Sequence, residues 1–118
     1  MMVKLLLSFC LPLSLYAQCA APANRLSTAF SCTVTAERLM APVKVFLAER
    51  VKGGEIETEK SRVVAHNKAE TVAVWLTEGK NGEIKVRVEV RPADSAPLLG
   101  ESADSARALQ RFLVRALQ

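Results

Sequence analysis

Apolar and polar positions alternate along much of the chain between residues 30 and 91, most cleanly in the stretch EIKVRVEVR at 83–91. Ile84, Val86, Val88 and Val90 fall on one side of it, and Glu83, Lys85, Arg87, Glu89 and Arg91 on the other. Successive side chains of a strand point to opposite faces, so the run predicts a strand that buries a β-branched row and exposes a charged one. The same period predicts a strand over 30–37, where Phe30, Cys32, Val34 and Ala36 alternate with polar residues. A further strand is expected over 43–51, with Val43, Val45 and Leu47 inward and Lys44, Phe46 and Ala48 opposite. Pro42 would stand at or just before it, because proline cannot donate to an interior ladder. The segment from Glu55 to His66 is charged first and apolar last, which predicts an exposed or edge strand followed by one that reaches the core at 62–66. TVAVWL at 71–76 is the most apolar strand, with Val72, Val74 and Leu76 on one face and Trp75 on the other.

Turn residues separate these runs. Gly53-Gly54 can supply the positive φ of a tight hairpin, NKAE at 67–70 turns the chain again, and Asn81-Gly82 is a strong short-range turn signal. Strands spaced about a dozen residues apart, with no helix between them, describe an antiparallel sheet rather than βαβ units. The expected fold is therefore all-β over residues 30–91, a small antiparallel β-sandwich of immunoglobulin or fibronectin type III character.

Beyond Arg91-Pro92 the period changes. Residues 92–101 read as a linker and 102–118 as an added C-terminal amphipathic helix, with Ser102 as its N-cap and Asp104 in its first turn. Ala106, Leu109, Leu113 and Leu117 form an apolar stripe with Phe112 beside it, and Arg107, Arg111 and Arg115 form a basic one. Such a helix is expected to pack its apolar stripe on its own domain; contact with an anionic membrane surface is the alternative.

The first 17 residues have another layout. Lys4 is followed by an apolar run from Leu5 to Leu15 and then by small or polar residues, the pattern of a secretory signal peptide cleaved after Ala17. The run is too short to span a bilayer. Export to the periplasm is expected, with secretion as the alternative. Acylation at Cys19 fits poorly, because Gln18 rather than a small residue precedes it. Residues 18–29 are small, polar and aperiodic, and read as an extended arm.

Removing the signal takes away Lys4 alone and lowers the formal charge of the 118-residue chain from +4 to +3. A mild basic excess with few aromatic residues, in an exported protein, argues against a nucleic-acid partner. Cys10 would leave with the signal, so Cys19 and Cys32 remain as the two cysteines of the mature chain. In an oxidising compartment they are expected to pair, and closing a loop of this size stabilises by about 3 kcal/mol in the chain-entropy model. A redox pair would more often be spaced C-x-x-C beside a helix.

Catalytic chemistry is not legible. His66 is the single histidine, no ligand spacing suits a metal, and no G-x-S-x-G elbow accompanies the serines. Glu55, Glu57 and Glu59 share one strand face, which reads as a solvated edge before it reads as a calcium or acid/base site. Neither enzyme activity nor a cofactor is expected. What remains is a binding module whose charged positions either defend a sheet edge or form a working surface.

The stretch from Val43 to Val90 resembles the curli-assembly inhibitors, the small periplasmic C-type and H-type curli accessory proteins of Gram-negative bacteria. The shared layout is a strand with a basic residue among β-branched ones (Val43, Lys44, Val45), a Gly-rich turn at Lys52 to Gly54, a polar middle strand, a short turn with Ala69-Glu70, and a final alternating strand. Cys32, two residues before Val34, looks like the H-type opening. The C-x-C pair of the C-type is missing: Ala41-Pro42-Val43 stands there, so no redox role carries over. The resemblance implies an immunoglobulin-like fold and a chaperone-like role that keeps an amyloid-forming curli subunit unpolymerised. Lys44, Lys85, Arg87 and Arg91 are then the expected client-binding residues. A structural or adhesion module of the envelope is the alternative, and an inhibitor of a secreted hydrolase is weaker still, since no protruding reactive loop is evident.

Overall fold

The computed structural model describes residues 18–118; the expected signal peptide, with Lys4, Cys10 and cleavage after Ala17, lies outside the described residues. Among the described residues five strands are formed: β1 (Ala29–Cys32), β2 (Glu55–Glu59), β3 (Arg62–His66), β4 (Glu70–Glu78) and β5 (Ile84–Pro92). Two α-helices of the described residues accompany them, α1 (Ala36–Arg50) and α2 (Leu99–Ala116). The strands make one antiparallel sheet in the order β1-β5-β4-β3-β2. Both helices lie on the same face of it, α1 against β2, β3 and β4, and α2 against β1 and β5.

The antiparallel meander from β2 to β5 follows the expected alternation. Val63 and Ala65 of β3, Val72, Val74 and Leu76 of β4, and Ile84, Val86, Val88 and Val90 of β5 are all buried toward the helices. The β4–β5 connection uses the expected turn: Asn81 and Gly82 have φ of 60° and 77°, and Gly79 and Glu83 close it through an N–H to carbonyl bond of 2.7 Å.

The fold is nevertheless not all-β, and among the described residues there is no second sheet to make a sandwich. The strand expected at 43–51 is helical, and the first strand stops at Cys32 rather than continuing to residue 37. The physical reason is a second period within the same segment. Leu39, Val43 and Leu47 are fully buried and four residues apart, with Val51 completing the row, whereas Val45 is half exposed although the alternation put it inside. The helix has its own start signal, since the Thr35 hydroxyl accepts from the Arg38 N–H at 3.4 Å. Pro42 sits inside the helix and removes one N–H from its ladder. Gly53-Gly54 therefore joins a helix to a strand instead of closing a hairpin. Gly53 adopts φ of +67°, and a Cβ at Gly54 would stand 2.7 Å from the His66 carbonyl oxygen.

The C-terminal helix packs its apolar stripe on the domain, as expected: Ala106, Leu109, Leu113 and Leu117 join the core under β1 and β5. Phe112 meets Phe46 of α1 with ring centroids 5.7 Å apart. The helix begins three residues before Ser102, so this serine is not its N-cap. Ser102 is buried within the helix instead. Its hydroxyl accepts from the Val90 N–H at 2.8 Å and donates to the Leu98 carbonyl at 2.6 Å, while the Leu98 N–H donates to the Val90 carbonyl at 2.9 Å. These bonds satisfy the edge of β5 beyond the point where β1 ends.

The arm seals the sheet on the same side. Cys19 forms an isolated antiparallel bridge with Cys32 and is disulfide-bonded to it. The Ala20 N–H donates to the Ser31 carbonyl at 2.9 Å and the Thr33 N–H to the Gln18 carbonyl at 2.7 Å. Helix α2 holds the arm from the side, through Gln110 Nε2 to the Cys19 carbonyl at 2.8 Å and Arg107 to the Arg25 carbonyl at 2.6 Å.

Candidate functional site: the uncovered face of the sheet

Because both helices occupy one face, every second residue of each strand faces away from them. The register builds this second face row by row. One row runs Glu59, Arg62, Trp75, Arg87 and Ala29 across all five strands. The next runs Glu57, Val64, Ala73 and Glu89, and the third Glu55, His66, Thr71 and Arg91. Lys85 lies on the same face of β5, opposite Thr77 and Ser31.

Three of the four expected client-binding residues thus share one face of one strand. Lys85, Arg87 and Arg91 are exposed on the uncovered face of β5. Lys44 is also exposed, but it belongs to α1 and so lies on the opposite side of the sheet. No flat ligand could touch all four at once.

The residue at the centre of this face is Trp75, which the alternation placed opposite Val74 without assigning it a role. The Arg87 guanidinium lies over its ring at 3.9 Å from the centroid. A stacked arginine covers apolar ring surface and keeps its N–H groups available at the plane edge, so the pair is both a cation–π contact and a set of aimed donors. Arg62, on the other flank of Trp75, pairs with Glu59 at 2.9 Å, and its Nε is buried without a hydrogen-bond partner. Beside this cluster lies a shallow depression of about 260 Å³, walled by Glu57, Arg62, Trp75, Glu89 and Arg91 and floored by Val64 and Ala73. The signal that could have found Arg62 and Trp75 is cross-strand register, which single-strand alternation does not contain.

Charge is segregated across the face. Glu55, Glu57 and Glu59 line β2 beside Arg62 of β3, and Lys85, Arg87 and Arg91 line β5 with Glu89 among them, while Trp75, Val64 and Ala73 lie between. Local pairs temper the contrast: His66 Nε2 lies 3.2 Å from Glu57, and Arg91 lies 3.5 Å from Glu89. Among the described residues no cluster of three or more His, Cys, Asp or Glu could hold a metal ion, and no helix is long and apolar enough to cross a membrane.

Comparison with protein-family models, with curated proteins and with solved structures finds no match to this chain. The layout that suggested the curli-assembly inhibitors divides on the structure: its opening strand at Val43 to Val45 is helical, whereas its later strands, within 55–91, are present as β2 to β5.

Proposed function

We propose that the protein is an exported, non-enzymatic binding module that contacts extended, amyloid-forming polypeptide through the uncovered face of its sheet and delays its polymerisation. The observation that carries this reading is the set of basic residues Lys85, Arg87 and Arg91 on one strand face, with Arg87 the cross-strand partner of Trp75, on the side of the sheet away from α1 and α2. Charged rows at both ends allow transient electrostatic contact, and they deny an incoming strand the flat apolar template on which a cross-β stack would grow. The Cys19–Cys32 disulfide is compatible with an oxidising compartment, and the periplasm is the one we propose. A curli-type subunit is the first client to test, on the strength of the meander over 55–91 that the resemblance retains.

The test is a thioflavin fluorescence time course of such a subunit with residues 18–118 added well below equimolar ratio. A lengthened lag phase is expected. Unchanged kinetics with protein shown to be folded by circular dichroism would refute the inhibitor reading and favour a structural or adhesion module of the envelope.

A further inference from the structure

The two edges of the sheet are treated differently. At one edge β1 is covered by the disulfide-tied arm, and β5 beyond β1 is capped by Leu98 and Ser102. At the other, among the described residues, β2 has only β3 beside it, and all five of its residues are exposed.

The direction of its peptide groups follows from the ladder. The Leu76 N–H donates to the Ser61 carbonyl at 2.8 Å, so Ser61 and Leu76 belong to a hydrogen-bonded row between β3 and β4. Antiparallel pairs alternate, so Val63 and Ala65 use their peptide groups toward β4, and Arg62, Val64 and His66 use theirs toward β2. Their partners Glu59, Glu57 and Glu55 are then engaged with β3. Ile56 and Thr58 direct N–H and C=O outward, while the three carboxylates stand on the uncovered face between and beside them.

From this geometry we infer a second recognition site: β2 accepts an extended segment of another exported protein in which Lys or Arg alternates with apolar or hydroxyl residues. This site differs from the face described above: it is an edge that bonds through backbone groups, and its occupant is basic. An added antiparallel strand must hydrogen-bond at Ile56 and Thr58, which fixes its pleat. Its intervening residues then lie opposite Glu55, Glu57 and Glu59, where a basic side chain is attracted and an acidic one repelled. The same parity excludes a second copy of this chain as occupant. Any antiparallel β2–β2 pairing that satisfies Ile56 and Thr58 sets glutamate against glutamate, so the edge resists self-association while staying open to a basic strand.

The probe is the peptide acetyl-(Lys-Val)4-amide, with acetyl-(Glu-Val)4-amide as its counterpart, added to ¹⁵N-labelled residues 18–118. Chemical-shift changes are expected at 55–59 and 62–66, with slowed hydrogen exchange at Ile56 and Thr58, for the lysine peptide alone. Thr58→Pro removes an outward N–H at an edge position that tolerates proline, and should weaken binding about tenfold or more with the rest of the spectrum unchanged. Glu57→Lys with Glu59→Lys should transfer the preference to the glutamate peptide, and it decides the matter alone if the proline variant does not fold. Lack of binding, full affinity in folded Thr58→Pro, or shifts centred on Lys85 and Arg87 would overturn the edge site. None of these results depends on whether amyloid kinetics change.

Discussion

The two faces of the sheet are made from alternate residues of the same strands, yet they have opposite relations to the rest of the chain. The covered face carries Val63, Val72, Val74, Leu76, Val86, Val88 and Val90, and both helices and the disulfide lie against it. The uncovered face carries Glu57, Arg62, Trp75, Arg87 and Arg91, and its contacts are between neighbouring strands. Stability is concentrated on the first face, and the recognition we propose is assigned to the second. Substitutions on one face should therefore be nearly silent in the property governed by the other.

The largest expected effect is on the covered side. Leu109 is fully buried where α2 meets β1 and β5, and Leu109→Ala leaves a cavity that the sheet cannot close. A loss of about 2–5 kcal/mol is expected in chemical denaturation. A loss below about 1 kcal/mol would mean that α2 contributes little to the core, and that its docking is not what stabilises this face.

Next comes the tether. Cys19 and Cys32 are buried among the core residues of the covered side, 13 residues apart in sequence. Replacing both by serine should cost about 3 kcal/mol by the entropy of the loop released in the unfolded chain. It should also raise amide exchange at Ala20 and Thr33, the two N–H groups that hold the arm to β1. Equal stability of the oxidised and serine forms would show that the arm does not need the bond.

How much of this was legible in the sequence depends on how many periods a segment carries. β5 has one: Ile84 to Val90 alternate with charges, and both faces could be assigned from residue order. The apolar stripe of α2, Ala106 to Leu117, was equally plain. Residues 43–51 carry two. Val43, Val45 and Leu47 fit a strand, while Leu39, Val43, Leu47 and Val51 fit a helix, and Pro42 is unfavourable inside a helix. Tertiary burial favours the helix, so the segment adds no strand to a second sheet, and Lys44 stands on α1, across the sheet from Arg87. Arg62 and Trp75 could not be joined from sequence at all, because their proximity depends on the β3–β4 register. The sequence pattern marks Ser102 as a local cap, yet its hydrogen bond reaches back to Val90 in another element.

A smaller effect tests the comparison within one strand. Val63 and Val64 are consecutive in β3, the first buried under the helices and the second on the uncovered face beside Ala73. Val63→Ala should destabilise by about 2 kcal/mol, from two lost methyl groups and the cavity they leave. Val64→Ala should cost less than about 1 kcal/mol, since water already reaches that side. Similar costs in the two variants, measured by thermal unfolding under the same conditions, would mean that the uncovered face is packed as a core, and its assignment as a recognition surface would fail.

The smallest effect on stability should accompany the largest effect on function. Lys85 and Arg87 make no ion pair with a carboxylate among the described residues, and Arg87 rests on Trp75. Lys85→Glu with Arg87→Glu removes one cation–π contact, worth about 0.5–1 kcal/mol at an exposed site, and leaves the covered face intact. Unfolding should shift by no more than that amount. If the uncovered face delays amyloid assembly, the same variant should lose the lengthened lag phase, because reversing two charges beside Trp75 reverses the local field that a client strand meets. A folded double variant that still inhibits would separate recognition from this row and direct attention to the β2 edge. There, Glu57→Lys with Glu59→Lys makes the reciprocal change at the acidic end of the same face, so the two variants together tell which end the client uses.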